Sequence, residues 1–128
     1  MPIEPDQQQL EAIIARAAED DSPIVMLNLN RYADRDEYLK YGAVAATKLD
    51  ELGARVLWHA NASETFIGTG DDDDDEVLAV WYPSRSAFLE FTSDPRILAA
   101  FEHRRAGLER AAIICCESGP AAELTAFE

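Results

Sequence analysis

Two stretches of this chain are suited to strands, yet neither has a polar side. Glu76 to Tyr82 (EVLAVWY) sets Val77, Ala79 and Trp81 against Leu78, Val80 and Tyr82, while Ala112 to Glu117 (AIICCE) sets Ile113 and Cys115 against Ile114 and Cys116. Side chains alternate along a strand, so both segments put apolar groups on both faces of any sheet they enter. A sheet of that kind needs cover on both faces.

The other elements decide how much cover one chain supplies. Asp6 stands three residues before Gln9 as in a capping box, and Leu10, Ile13, Ile14 and Ala17 follow at helical spacing, which predicts a helix from about Pro5 to Glu19. Ile24 to Arg31 (IVMLNLNR) reads as a strand with Val25, Leu27 and Leu29 on one side and Met26, Asn28 and Asn30 on the other. Asp34 with Glu37 suggests a second capping box, ahead of a stripe of Tyr38, Tyr41, Ala45, Leu49 and Leu52 that ends at Gly53. Ala54 to Ala60 (ARVLWHA) is a further strand, with an extended piece expected near Thr65 to Ile67. Pro83 and Ser84 precede a short helix carrying Phe88, Leu89 and Phe91, and Asp94-Pro95 opens another that should reach about Arg110.

After the first helix the order is strand, helix, strand, strand, helix, strand. This is the α+β, ferredoxin-like βαββαβ pattern, with an antiparallel sheet and an extra N-terminal helix. The 128 residues are read as one domain: helix 1–21, core 22–118 and tail 119–128, the tail opening on Gly119-Pro120. The internal helices cover one face. A second copy packed sheet to sheet would cover the other, which predicts a homodimer closing into a dimeric α+β barrel; the rival is an N-terminal helix folded across that face.

Charge narrows the partners. With 25 Asp and Glu against 11 Lys and Arg the chain carries −14, so phosphate backbones and anionic lipid surfaces repel it. No apolar run approaches the ~20 residues of a membrane span, and Met1 to Gln9 lacks the character of a signal peptide. Cys115 and Cys116 are adjacent, point to opposite faces and read as buried free thiols, which suits the reducing cytoplasm. Asp71 to Asp75 lacks the alternating ligands, central Gly and terminal Glu of a calcium loop and reads as a solvated hairpin tip. Phosphate-binding, dinucleotide and zinc motifs are absent, so no cofactor or metal is expected.

Three pairs of residues carry candidate chemistry. Asn28 and Asn30 are amides on a strand, each needing a partner: a ligand oxygen, a water or neighbouring backbone. Trp58 and His59 are adjacent, so only one can face a cavity, His59 as a general base or Trp58 as an aromatic wall. Arg104 and Arg105 both fall near the inward stripe set by Ile97, Phe101 and Leu108, where a guanidinium could hold a carboxylate ligand or pair with an Asp or Glu of the chain. His103 falls on the far side.

The strand MLNLNRY with Asn28, Tyr41 in the next helix, GARVLWHA with Trp58, the acidic turn into EVLAVWYPSRSAF, and EHRRAGLERA together resemble the domain-of-unknown-function 1330 family, over about Ser22 to Cys116. Where that family often has a Trp in the acidic turn, this chain has five Asp. The resemblance implies the dimeric α+β-barrel superfamily and supplies no activity, although the superfamily includes cofactor-independent monooxygenases, haem-dependent enzymes and isomerases that use the barrel cavity. The expectation is a cavity bounded by Asn28, Tyr41, Trp58 and Arg104 that binds a small carbonyl- or carboxylate-containing molecule, with oxygenase or isomerase chemistry free of cofactors. In that scheme Asn28 holds a carbonyl, Trp58 or Trp81 forms a wall, Arg104 fixes an acid group and His59 moves a proton. The alternative is a non-catalytic dimerisation or ligand-sensing module.

Overall fold

A computed structural model describes residues 3–70 and 73–117. In chain order the elements are α1 (Gln7–Glu19), β1 (Ile24–Tyr32), α2 (Arg35–Leu52), β2 (Arg55–Asn61), β3 (Glu76–Tyr82), α3 (Arg85–Ser93), α4 (Pro95–Gly107) and β4 (Leu108–Glu117). The four strands form one antiparallel sheet in the order β2-β3-β1-β4, the ferredoxin-like arrangement. The tail that opens at Gly119, together with Asp71 and Asp72, lies outside the described residues.

Local chemistry sets most boundaries. Asp6 and Gln9 complete a reciprocal capping box on α1. Asp34 caps α2 by accepting from the Glu37 amide, but the Glu37 carboxylate goes to Lys40 and His103 instead of closing the box. Gly53 ends α2 at a φ of 72°, the left-handed conformation glycine adopts without strain. Ser84 caps α3, and Asp94 caps α4 with Pro95 at its start.

Two expected boundaries move. Residues 65–67 are loop, not strand. Helix α4 stops at Gly107 rather than near Arg110, because that glycine presses on the first turn of α2. A Cβ there would lie 2.5 Å from the Tyr38 nitrogen, and the Gly107 carbonyl accepts from both Ala33 and Asp34 amides. Strand β4 therefore begins at Leu108, four residues ahead of the expected Ala112.

Register assigns the faces. The side toward the helices carries Ile24, Met26, Asn28 and Asn30 opposite Tyr82, Val80, Leu78 and Glu76. The buried core forms there, between Met26, Val80 and Tyr82 of the sheet and Tyr41, Phe91 and Ile97 of the helices. The other side carries Val25, Leu27 and Leu29 beside Trp81, Ala79 and Val77, with Ile114 and Trp58 about half exposed. Helix α1 does not cover it: α1 packs on α3, Ile13 touches the helix-side core, and Arg16 reaches Glu117. Among the described residues nothing covers this apolar face.

The cysteines point to opposite faces and are free, but they are not buried: Cys115 is exposed and Cys116 half-buried. The reason is that β4 is an edge strand with a neighbour on one side only.

Candidate functional site

Between the inner face of the sheet and the four helices lies a cavity of about 1270 Å³. Asn28, Tyr41 and Arg104 line it together, as do Tyr82, Arg85 and Cys115. Leu10, Ile13 and Arg16 of α1 close one side. Its aromatic wall comes from Phe88, Phe91 and Phe101 and not from tryptophan. Trp58 pairs with Ala79 and Trp81 with Val25, which places both indoles on the opposite, uncovered face, where the Arg55 guanidinium lies 5.0 Å from the Trp81 ring centroid. A bulge in β2 decides this: Val56 pairs with Val80 and Trp58 with Ala79, so Leu57 is the inserted residue and Val56 and His59 share the inner face.

The polar groups on the wall differ in how far the protein satisfies them. The Asn28 amide donates to the carbonyls of Met26 at 3.0 Å and Leu78 at 3.4 Å, so both its hydrogens are taken by backbone. It cannot hold a ligand carbonyl, as its place on the strand suggested, without giving up one of them. Its Oδ1 has no partner among the described residues. Neither do the hydroxyls of Tyr41 and Tyr82, and since no buried polar side-chain atom goes without a partner, these oxygens are reachable from the cavity. Burial pushes both phenols above the ordinary tyrosine range, with the Arg104 charge pulling Tyr41 partly back.

Two buried arginines share this wall. Arg85 donates to the Asp20 carbonyl and forms an ion pair with Glu117, which Arg16 also contacts. Arg104, only 9% exposed, donates to the Ile3 carbonyl and lies 6.0 Å from the Tyr41 ring centroid. It has no carboxylate partner among the described residues. Its neighbour Arg105 also lines the cavity but is exposed and pairs with Glu4, so of the two arginines near the inward stripe only Arg104 lacks a carboxylate among the described residues.

His59 faces inward but is not part of this wall. Its Nε2 lies 2.8 Å from Glu76 Oε2, while Nδ1 has no partner among the described residues. Glu76 is a site residue that the sequence reading did not single out. It is 5% exposed and accepts from Asn30 at 2.8 Å and from the Tyr32 hydroxyl at 2.7 Å as well. Burial works to raise its pKa, but the bonds from Tyr32, Asn30 and His59 outweigh it and hold the carboxyl below its ordinary value. Tyr32 is pushed up to about 12, by burial first and then by Glu76. The signal was present in the pattern, since Glu76 is the first residue of a strand whose alternation puts it beside Asn30. Asn30 also donates to the Tyr38 hydroxyl, so both hydrogens of its amide are taken within the protein.

The remaining polar candidates are structural. His103 lies 2.6 Å from Glu37. Buried Lys48 pairs with Asp94 at 3.2 Å. The acidic turn is not a free tip: Arg31 bonds the carbonyls of Gly70 and Asp73, and Arg110 pairs with Asp74 at 2.6 Å. Among the described residues no group of three or more His, Cys, Asp or Glu could hold a metal ion, and no helix is long and apolar enough to cross a membrane.

A protein of unknown function from Rhodopseudomonas palustris is similar over 92% of this chain and 98% of its own, at 30% identity and a TM-score of 0.79. A dimeric ferredoxin-like protein of unknown function from Thermobifida fusca matches at 13% identity and TM-score 0.51, over 75% of this chain and 91% of its own. SnoaB, a cofactor-independent oxygenase from Streptomyces nogalater, matches at 15% and 0.51, over 77% and 97%. These last two likenesses show the fold alone. No curated protein matches. The model of a domain of unknown function, DUF1330, matches residues 24–117, leaving α1 outside; the chain thus belongs to the DUF1330 family.

Proposed function

We propose that this protein is a cytoplasmic homodimer whose subunits each bind a small organic carboxylate in the cavity between sheet and helices. The observation that carries the binding reading is Arg104. A desolvated guanidinium without a countercharge is costly, and a carboxylate entering the cavity offsets that cost through a charge-assisted, bidentate contact. The rings of Phe88, Phe91 and Phe101 suit an aromatic body on the same ligand. Calorimetry with 3-phenylpropionate tests this. Saturable binding that vanishes with the corresponding primary amide supports it, and equal binding of acid and amide overturns it.

The dimer rests on the uncovered apolar face, which the superfamily buries between two sheets. Sedimentation at micromolar concentration should return twice the 14.2 kDa chain mass. Ile114→Asp, which puts a charge on that face, should return the single mass.

The arrangement of His59 favours a second reading, proton transfer as in a cofactor-independent isomerase or oxygenase. Glu76 fixes one imidazole nitrogen and leaves the other open, and the inner-face neighbours Val56 and Leu78 both line the cavity. Entry of solvent deuterium at C3 of phenylpyruvate is the assay. Exchange that His59→Gln abolishes without weakening binding supports the role; exchange at the buffer rate in the parent protein removes it, leaving a ligand-sensing module.

A further inference from the structure

We infer that the cavity selects carboxylates that also bear a hydroxyl, with the hydroxyl donating to Oδ1 of Asn28. This rests on the carboxylate reading above and specifies the ligand class.

The orientation of the Asn28 amide follows from its surroundings. Its nitrogen lies against two backbone carbonyl oxygens, those of Met26 and Leu78, and turning the amide over would set its own oxygen against both. The cavity therefore meets a pure acceptor. That acceptor sits in an apolar stretch of wall, with Leu78 and Ile113 as its cross-strand neighbours on either side. Asn30, two residues along, differs: its amide is spent on Glu76 and Tyr38 inside the protein, and its burial is complete. Of the pair, Asn28 lines the cavity and Asn30 does not, so it is the Asn28 oxygen that a ligand meets.

Ligands without a donor would cover that oxygen with apolar atoms and strip it of water. A site built to pair with a hydroxyl rejects the analogue lacking it, because the buried protein group is then left unbonded. Carbonyl and carboxylate oxygens on the ligand have their own partners, the guanidinium of Arg104 and the reachable hydroxyls of Tyr41 and Tyr82. The class that satisfies every group is an aromatic or aliphatic hydroxy acid, or the enol form of an oxo acid.

Three probes of one skeleton test this by calorimetry: 3-phenylpropionate, 3-phenyllactate with its hydroxyl beside the carboxylate, and 3-(4-hydroxyphenyl)propionate with it at the far end. One of the hydroxy acids should bind at least about tenfold more tightly than the parent acid. In Asn28→Leu that advantage should fall below about threefold, with the parent acid binding at least as tightly as it does to the unaltered protein because no acceptor is left to strip of water. Equal affinities for all three probes, or an advantage unchanged in Asn28→Leu, overturn the hydroxyl inference and leave the carboxylate site standing. Failure of all three to bind overturns the carboxylate reading, and this inference with it.

Discussion

Arg85 and Arg104 are both buried and both line the same cavity, and they differ in what answers their charge. Arg85 has Glu117 and a backbone carbonyl; Arg104 has, among the described residues, a backbone carbonyl and no carboxylate. A buried cation paired within the chain belongs to the fold, and its removal is felt as lost stability. An unpaired one on a cavity wall contributes little to the fold and much to a ligand that brings the missing charge. The same residue type in the same cavity is thus assigned two jobs by its neighbours.

The largest expected effect divides those jobs. Arg104→Met should lower affinity for 3-phenyllactate about 100-fold, the scale of a lost charge-assisted contact, and shift the melting temperature by less than about 2 °C. A fall in stability with affinity intact would reverse the assignment. Arg85→Met should do the opposite. It removes the bonds to Asp20 and Glu117 along with a packed stem, so the melting temperature should drop by about 8 °C while affinity stays within about twofold.

The sequence makes the frame of this comparison legible and leaves its decisive contacts out of reach. Caps at Asp6, Ser84 and Asp94, and the two-sided apolar strands, are local patterns that announce the elements and the uncovered face. The helical wheel brings Arg104 and Arg105 equally near the core, and only packing separates them: the start of the chain lies so that Ile3 meets one and Glu4 the other. The Trp58–His59 choice turns on a bulge at Leu57, and a single extra residue in a strand leaves no mark in an alternation this short. Glu76 escapes notice because an acid at the head of a strand usually faces water; its partners, Tyr32 and His59, come from two other strands.

Acid titration gives the smallest and most specific test of the pairing at Arg85. The bonds from Arg85 and then Arg16 hold the Glu117 carboxyl below its ordinary value of 4.5. A carboxyl depressed in the folded state stabilises the fold above its unfolded pKa, and that stabilisation is lost as pH falls through the folded value. Urea midpoints should therefore decline as pH falls below about 4.5, the decline being the sum over Glu117, Glu76 and the other depressed acids. Glu117→Gln removes one contributor, so its midpoint should start lower at neutral pH and fall less steeply, the two curves converging in acid. Arg104 has no titrating acid beside it among the described residues, so Arg104→Met should leave the parent's slope unchanged. Parallel curves for Glu117→Gln and the parent would mean that Glu117 does not stabilise Arg85, and the contrast between the two arginines would then rest on ligand binding alone.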